Sequence, residues 1–564
     1  MSIDQLQSNT VIHIPGLGAI RGERDEKVPV VRYLDIPFAT ASKRWRPGTP
    51  VEGWEGIRDA TKQGFSPPQG YRNPPMVALL LGLEDHQYED WFDEKDCLNL
   101  NIYAPDESVL GSIGEPLPVM VWIYGGAYRL GGTHTPLYDV TNFVAASIER
   151  KKPVVVVAPN YRTNFFGFMA SRELKEDIDN DPTLTGEQRA VGNWGLQDQK
   201  QAFLWVRDHI SAFKGNNRDI TAFGESAGAV SIAYHMMIPA HHGLFEKAIL
   251  QSGGLLTLPT QDIENQAQAS FDSLCSHLGI PRETPSREKM ELLRAVPAKS
   301  IADYVQSNWS VTFGPTIDEV LIDGRVQAWM EDSSRLDPGV KRVLIGMNRD
   351  EGTMFAPPAG QLGCQWSDIR ARYGAASELD LLDRLYDQPG DGDPHALALA
   401  NTRIMTDMLF HVPILSFASM LCKMDRIDTS VYLFDCHVDR LEKFQPGLGA
   451  SHALDMLYLF DSLPCRNLLS EDETKLGKEL RNILFELATS KTPSPDILPV
   501  VRRLWEDGQG AADTSVIIFR RALTVGRTHV NWITKETFDY WMRFYDYQAE
   551  RMDQGDYSQG FSSS

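Results

Sequence analysis

An α/β fold with a large, mostly parallel central sheet is predicted by three features of this 564-residue sequence. Short apolar runs of strand length recur along the chain, and helix-like stretches lie between or after them. The run at 153–159 (PVVVVAP) is apolar throughout rather than alternating. Runs of this kind are typical of parallel strands that helices cover on both faces. In such sheets the functional groups lie at the carboxyl ends of the strands.

Each element has its own local signal. Residues 11–23 (VIHIPGLGAIRGE) predict a hairpin with turn residues at its centre, and hence a small N-terminal antiparallel sheet. Helical spacing predicts amphipathic or buried helices at 197–213 and 229–238. Further strands are predicted at 30–39, 97–105, 117–126, 153–162, 219–225, 247–253, 341–347 and 430–436. With no linker in between, we expect one domain over 1–551 and a flexible tail at 552–564.

The charge balance restricts the partners. Lysine and arginine number 55 against 76 aspartates and glutamates, which gives a formal net charge of −21. A surface of this charge repels phosphate backbones and anionic lipids, so nucleic-acid and membrane-surface partners are not expected. The longest apolar runs, 76–83 and 153–159, are too short to span a membrane. The six cysteines lack metal-ligand spacing, so no metal site is expected.

Residues 224–228 (GESAG) have the form G-x-S-x-G, between a predicted strand and a predicted helix. In that context the serine sits on a strained turn that lifts its hydroxyl clear of the sheet. Ser226 is therefore a candidate nucleophile. The alternative is a glycine-rich corner in which the serine is incidental.

A nucleophilic serine needs a histidine base, which a carboxylate orients. The loop after the strand at 341–347 offers Asp350 and Glu351, of which one must be a bystander. His437, His452 and His529 are candidates for the base, and the pattern alone leaves all three open.

Backbone N–H groups must also face the oxyanion that forms during acyl transfer. The residue after the serine, Ala227, supplies one such group. The glycine-rich loop at 125–127, directly after the strand residues PVMVWIY (118–124), supplies others.

Many segments together resemble the type-B carboxylesterase/lipase family, the α/β-hydrolases that include cholinesterases, mammalian carboxylesterases and fungal lipases. The resemblance implies an α/β-hydrolase fold with inserted helices over the active site, and it covers most of the chain. It rests on YLDIPFA (33–39), DCLNLNIYAP (96–105), WIYGGAY (122–128), PNYRTNFFGF (159–168), GNWGLQDQKQAFLWVRDHI (192–210), ITAFGESAGA (220–229), FEKAILQSGG (245–254), LIGMNRDEGTMF (344–355) and GASHALDMLYLF (449–460).

The resemblance also implies a role for individual residues. The catalytic residues would be the nucleophile Ser226, the acid Glu351 and the base His452, with the amides of Gly126, Ala127 and Ala227 as the oxyanion hole. Glu225 would shape the electrostatics beside the nucleophile, and Ser252 would support the acid from behind. Arg162 and Asp198 match a buried structural salt bridge.

Three departures from the family pattern are visible. Ala127 stands where the oxyanion loop usually has a third glycine. The partner cysteines of the family's disulfides are missing, which leaves Cys97 unpaired. Together with an amino terminus that lacks a signal-peptide pattern, this predicts a cytoplasmic protein. Residues 71–91 would form either a mobile lid or a buried helix, and Trp91 does not align with the choline-binding tryptophan of cholinesterases.

The expected function is hydrolysis of an apolar small-molecule carboxylic ester through an acyl-enzyme, with no cofactor. The same catalytic groups would also serve an acyltransferase, or a lactone or amide hydrolase. A non-catalytic adhesion or scaffold role, as in relatives that lost the serine, is the remote alternative.

Overall fold

The computed structural model describes residues 10–70, 91–111, 113–355, 365–373, 378–390, 393–501, 504, 516–520, 524–528 and 533–553. The strands are β1 (Val11–Ile14), β2 (Gly18–Arg21), β3 (Glu23–Arg24), β4 (Val30–Pro37), β5 (Ala39–Thr40), β6 (Thr49–Pro50), β7 (Ile57–Asp59), β8 (Asn99–Pro105), β9 (Leu117–Ile123), β10 (Val155–Pro159), β11 (Gly215–Glu225), β12 (Lys247–Gln251), β13 (Gln261–Asp262), β14 (Thr316–Ile317), β15 (Arg342–Asn348), β16 (Asp428–Asp435), β17 (Val516–Arg520) and β18 (Thr524–Thr528).

The helices surround the sheet. They are α1 (Glu107–Leu110), α2 (Thr141–Glu149), α3 (Asn164–Phe168), α4 (Arg172–Asp179), α5 (Trp194–His209), α6 (Ala227–Met237), α7 (Gln268–His277), α8 (Ser286–Ala295), α9 (Ala298–Ser307), α10 (Val326–Trp329), α11 (Trp366–Tyr373), α12 (Leu379–Leu385), α13 (Pro394–Thr406), α14 (Val412–Cys422), α15 (Asp439–Phe444), α16 (Leu454–Phe460), α17 (Leu463–Leu468), α18 (Glu471–Thr489) and α19 (Lys535–Asp553).

Eleven strands form the central sheet, in the order β18-β17-β16-β15-β12-β11-β9-β10-β8-β4-β3. Six of its ten strand pairs are parallel, from β17 across to β10, and the antiparallel pairs lie at the two edges. Every residue of β10 and β12 is buried, as expected for parallel strands with both faces covered. The predicted large, mostly parallel sheet flanked by helices is therefore confirmed.

The small N-terminal sheet differs in part from the prediction. Strands β1 and β2 form the expected antiparallel hairpin, but the third strand, β7, pairs with β2 in parallel. A short hairpin turn can only return the chain antiparallel, whereas the long segment between β2 and β7 allows a parallel return. The prediction of a purely antiparallel sheet is thus wrong for β7.

A long apolar helical run extends over Pro394–Cys422, from α13 through a single π-helical turn into α14. In the described part of the chain it alone is long and apolar enough to cross a membrane. However, 78% of its most apolar window is buried inside the protein. It is a core helix, covered by the rest of the fold.

Two predicted structural details are present. Arg162 and Asp198 form a buried bidentate pair, with both guanidinium–carboxylate distances at 2.7 Å. Cys97 is a free, buried thiol, and burial raises its pKa. Residues 71–91 were expected to form a lid or a buried helix, and positions 71–90 lie outside the described residues. The same holds for residues 554–564 of the expected tail. Helix α19 runs into that tail as far as Asp553.

Candidate active site

Ser226 occupies a sharp turn between β11 and α6, with φ 53° and ψ −126°. Its backbone N–H donates to Gln251 O at 2.9 Å, which fixes the turn against the end of β12. The flanking glycines are needed because a Cβ on Gly228 would lie 2.0 Å from Ile123 O, and one on Gly224 would lie 2.7 Å from the same atom. The predicted strained strand-turn-helix arrangement is present, and it presents the Ser226 hydroxyl at the carboxyl edge of the sheet.

The side chains of Ser226, His452 and Glu351 form one hydrogen-bonded chain. His452 Nε2 lies 2.9 Å from Ser226 Oγ, and His452 Nδ1 lies 2.7 Å from Glu351 Oε2. Glu351 follows β15, and His452 lies in the loop before α16, so both come from the edge that carries Ser226. The second oxygen of Glu351 accepts the backbone N–H of Asn348 at 2.8 Å. All three side chains are buried.

Two of the alternatives that the sequence left open, Asp350 and His437, have other contacts. Asp350 Oδ2 accepts the backbone N–H of Ala450 at 2.9 Å, so this carboxylate supports the loop that carries His452. The ring of His437 is partly exposed, and its Nε2 lies 2.9 Å from Asp439 Oδ1. His529 lies outside the described residues.

A second carboxylate stands beside the histidine. Glu225 Oε1 lies 3.2 Å from His452 Nε2, and both side chains are buried. Burial alone would lower the pKa of His452, but the charges of Glu225 and Glu351 outweigh it and raise the pKa above its ordinary value. Burial raises the pKa of Glu225, against the attraction of His452. The role of Glu225 in the electrostatics of the site stays a prediction, and its carboxylate lies in contact with the histidine ring.

A third buried carboxylate, Asp455, was not predicted. It accepts hydrogen bonds from Gln251 Nε2 at 2.8 Å, Tyr432 Oη at 2.9 Å and Asn348 Nδ2 at 3.3 Å. Burial raises the pKa of Asp455. The signal in the sequence was its position three residues after His452, which places it on the first turn of α16.

Ser252 is buried after β12, and among the described residues its hydrogen bond is to a neighbouring strand rather than to Glu351, the acid it was expected to support. Its backbone N–H donates to Gly346 O at 2.9 Å. Its hydroxyl has no hydrogen-bond partner among the described residues. The backbone N–H of Asn348 is the group that holds the second oxygen of Glu351.

The three amides predicted for the oxyanion hole lie around Ser226. Gly126 and Ala127 follow β9 and line the cavity in front of the serine, and Ala227 begins α6. Ala127 has a φ of 53°, in the left-handed region, although it carries a methyl group. None of these three N–H groups donates a hydrogen bond to a described residue. They are therefore available to an oxygen atom that binds in front of Ser226.

The cavity has a volume of about 560 Å³ and opens above the serine. Its lining is mostly apolar, and the aromatic rings of Phe410 and Phe355 lie 4.6 and 5.2 Å from the ring of His452. Trp91 is not part of the lining. Among the residues with described positions, no group of histidine, cysteine, aspartate or glutamate side chains could hold a metal ion. The lining includes Leu130, Leu255, Trp309, Phe313, Phe355 and Met408.

Comparison with known proteins agrees with this architecture. The sequence profile of the carboxylesterase family matches residues 8–516. The para-nitrobenzyl esterase of Bacillus subtilis is 30% identical over 488 residues, which is 85% of this chain and 90% of its own. The human cocaine esterase is 28% identical over 510 residues, 86% of this chain and 83% of its own.

A solved structure extends the likeness to three dimensions. The carboxylesterase EST55 of Geobacillus stearothermophilus superposes with a TM-score of 0.72 at 27% identity, over 94% of this chain and 100% of its own. The expected resemblance and the α/β-hydrolase fold are confirmed, and esterases among the relatives argue against a non-catalytic scaffold. The chain belongs to the carboxylesterase family and is a serine hydrolase that cleaves carboxylic esters.

Proposed function

We propose that Ser226, His452 and Glu351 are the catalytic triad of this esterase and that the reaction passes through an acyl-enzyme. The observation that carries the proposal is the continuous hydrogen-bonded chain from Ser226 Oγ through His452 to Glu351, at the base of an apolar cavity. An ionised carboxylate can only accept hydrogen bonds, so the proton on His452 lies on Nδ1. Nε2 is then left to accept the proton of the Ser226 hydroxyl.

In the first half of the reaction Ser226 Oγ bonds to the ester carbonyl carbon while its proton moves to His452 Nε2. Glu351 and Glu225 stabilise the imidazolium that results, because both carboxylates lie within 3.2 Å of the ring nitrogens. When the bond to the alkoxy oxygen breaks, His452 returns the proton to the departing alcohol. Ser226 then carries the acyl group as an ester.

The second half repeats these steps with water. His452 takes a proton from a water molecule, whose oxygen bonds to the acyl carbon. The bond to Ser226 Oγ breaks, the serine recovers its proton, and the carboxylic acid leaves. Every proton transfer uses groups of this chain or water.

The carbonyl oxygen, which becomes negatively charged, accepts hydrogen bonds from the backbone N–H groups of Gly126, Ala127 and Ala227. Because they are fixed before the substrate arrives, each donor contributes about 3 kcal/mol to transition-state stabilisation. Ala127 keeps its N–H in this arrangement, and its methyl group narrows the cavity beside the amide.

The substrate that the cavity favours is an uncharged ester with an apolar acyl or alcohol group. Among the described residues, the charged side chains that line the cavity, apart from the catalytic histidine, are Arg129 and Glu225, and the remainder of the wall is largely apolar. Apolar walls select by buried area and discriminate weakly between similar groups. The relatives named para-nitrobenzyl and cocaine esterases support aromatic esters as test substrates.

The first test is Ser226→Ala, assayed with para-nitrophenyl esters and with a fluorophosphonate probe. We expect hydrolysis to fall by about 10⁶-fold and labelling to disappear, because no other hydroxyl of the described residues bonds to His452. Ser430→Ala is the matched control, since Ser430 is also buried but lies near the amino end of β16, where its hydroxyl donates to Pro499 O at 2.7 Å. Near-normal turnover by Ser226→Ala would contradict the triad.

Product analysis in the presence of alcohols and amines tests the finer alternatives. Free acid as the main product supports hydrolysis. An acylated alcohol or amine as the main product would instead assign the enzyme to acyl transfer.

A further inference from the structure

We infer that Arg129 is a positioning residue that holds the 305–313 segment as a fixed wall of the substrate cavity, and so sets the enzyme's preference for the size of the ester's apolar group. The inference rests on the proposed function of Ser226. It follows from how a single buried guanidinium joins two parts of the cavity that are far apart in sequence.

One end of this connection is the glycine-rich loop after β9. Arg129 follows Ala127 by two residues, so its backbone belongs to the loop that presents the Gly126 and Ala127 amides. That backbone is held in place, because the N–H of Arg129 donates to Gly126 O at 2.9 Å and the carbonyl of Arg129 accepts Asn164 Nδ2 at 3.1 Å. The base of the Arg129 side chain is thus fixed relative to Ser226.

The other end is the segment that follows α9. Arg129 Nη1 donates to Val305 O at 2.6 Å, and Nη2 donates to Asn308 O at 3.0 Å and to Val311 O. The acceptors lie in the last turn of α9 and in the loop beyond it, where helix carbonyls lack partners of their own. The positive charge also suits the negative end of the helix dipole.

The same guanidinium contacts two aromatic rings of this segment. Its central carbon lies 4.7 Å from the ring centroid of Trp309 and 5.3 Å from that of Phe313. Both rings line the cavity, although Trp309 is 49% exposed and belongs to its rim. A cation over an aromatic face is attracted to it, so Arg129 fixes the rings as well as the backbone.

In the described part of the chain, the charge of Arg129 has no acidic partner. It is buried, and no carboxylate among the described residues forms an ion pair with it. Burial lowers its pKa to about 10. A buried charge of this kind is costly, and here three backbone carbonyls take the place of a counter-ion. Lysine cannot reproduce the contact, because a single ammonium lacks the planar fork that reaches separate acceptors.

Without this connection, Trp309, Val311 and Phe313 lose their fixed distance from Ser226. A short acyl group does not depend on that wall, whereas a long one packs against it. Positional errors of about 1 Å in such contacts can cost up to about a hundredfold in rate. The loss should therefore grow with the size of the ester.

The experiment compares Arg129→Met and Arg129→Lys with the unmodified enzyme on para-nitrophenyl acetate and para-nitrophenyl octanoate. For Arg129→Met we expect kcat/KM on octanoate to fall by about thirtyfold, mainly through KM, and kcat on acetate to change by less than about threefold. Arg129→Lys should recover only part of the octanoate activity.

Arg44→Met is the matched control. Arg44 is also largely buried, donates to a helix carbonyl, Leu293 O, at 2.9 Å, and lies over the ring of Phe166, but it does not line the cavity. The Arg44→Met variant should leave the ratio of kcat/KM on octanoate to kcat/KM on acetate unchanged. Equal fold losses of kcat/KM on octanoate and acetate in Arg129→Met, which would leave the ratio of the two values unchanged, would overturn the inference. Absence of hydrolysis and of fluorophosphonate labelling in the unmodified enzyme would instead contradict the proposed function.

Discussion

Two buried histidine sites in this protein differ in the direction in which their surroundings move the proton affinity. At the carboxyl edge of the sheet, Glu225 and Glu351 flank His452, and their charges raise its pKa above the ordinary value. Within the helical layer, His235 and His241 share a hydrogen bond of 2.7 Å between their Nδ1 atoms, and burial lowers the pKa of His235 to about 3. Both sites exclude water to a similar degree.

The difference is the presence of carboxylates in contact with the ring. His235 Nε2 donates to the amide oxygen of Gln199 at 2.9 Å, a neutral partner that cannot stabilise an imidazolium. The nearest acid to His241 Nε2 is Glu187 at 3.8 Å, and Lys200 adds an opposing positive charge. Burial alone therefore makes a histidine inert, and adjacent carboxylates make it a base.

The largest expected effect comes from Glu351→Gln, which removes one of the two carboxylates that contact the ring of His452. We expect kcat to fall by about 10⁴-fold, because an amide can donate as well as accept, so it no longer fixes the proton on Nδ1, and its neutral group no longer stabilises the imidazolium. Steady-state kinetics with para-nitrophenyl acetate measure this. The adjacent Asp350→Asn is the matched control and should lose about tenfold or less, since it weakens one hydrogen bond to the His452 loop. A larger loss in Asp350→Asn would reverse the assignment of the acid.

The second effect concerns the histidine pair without carboxylates. Because the pKa of His235 is lower in the folded protein than the usual 6.5, the unfolded chain binds a proton that the folded one does not. The contribution of His235 to the free energy of unfolding is therefore complete above pH 6.5. It is lost as the pH falls toward 3, at up to about 1.4 kcal/mol per pH unit.

Urea unfolding between pH 7 and pH 4 measures that loss. The double variant His235→Leu with His241→Leu should show a flatter dependence on pH, whatever its absolute stability. Exposed His395, changed to Gln, is the control and should keep the slope of the unmodified protein. An equal slope in all three proteins would show that the pair does not titrate as described.

A smaller effect is expected from Glu225→Gln, which leaves Glu351 in place but removes the other charge at 3.2 Å. Loss of this charge lowers the pKa of His452, so the neutral base persists to lower pH. The acid limb of kcat/KM should move down by about one pH unit. Glu246→Gln is the control, because that carboxylate accepts the N–H of Ile220 in the middle of β11, away from the site. An unmoved or upward-shifted limb in Glu225→Gln would contradict the role of Glu225.

Much of the fold could be predicted from local signals. The strand runs that end in the catalytic loops are long and apolar, and glycines mark the turns at Gly126 and Gly228 because no side chain fits there. Strand β7 could not be predicted, since only Ile57 of its three residues is apolar and its pairing depends on a distant partner.

The site was predictable only in part, for the same reason. Residue pattern identified Ser226 but left the acid and the base open, and only the resemblance selected Glu351 and His452. The contact between Arg129 and Val305 joins residues 176 positions apart, and nothing local indicates it. The bonds of Asp455 likewise depend on side chains from β12, β15 and β16.

The bond between Ser226 and His452 spans 226 positions, and it closes only when the sheet is assembled from β9 to β16. A nascent or truncated chain that ends before His452 has a Ser226 hydroxyl without its base, and it cannot hydrolyse an ester. Hydrolysis is thus an internal reporter of completed folding. Recovery of enzymatic turnover after dilution from denaturant would time the last long-range step of assembly, with no dye or attached label.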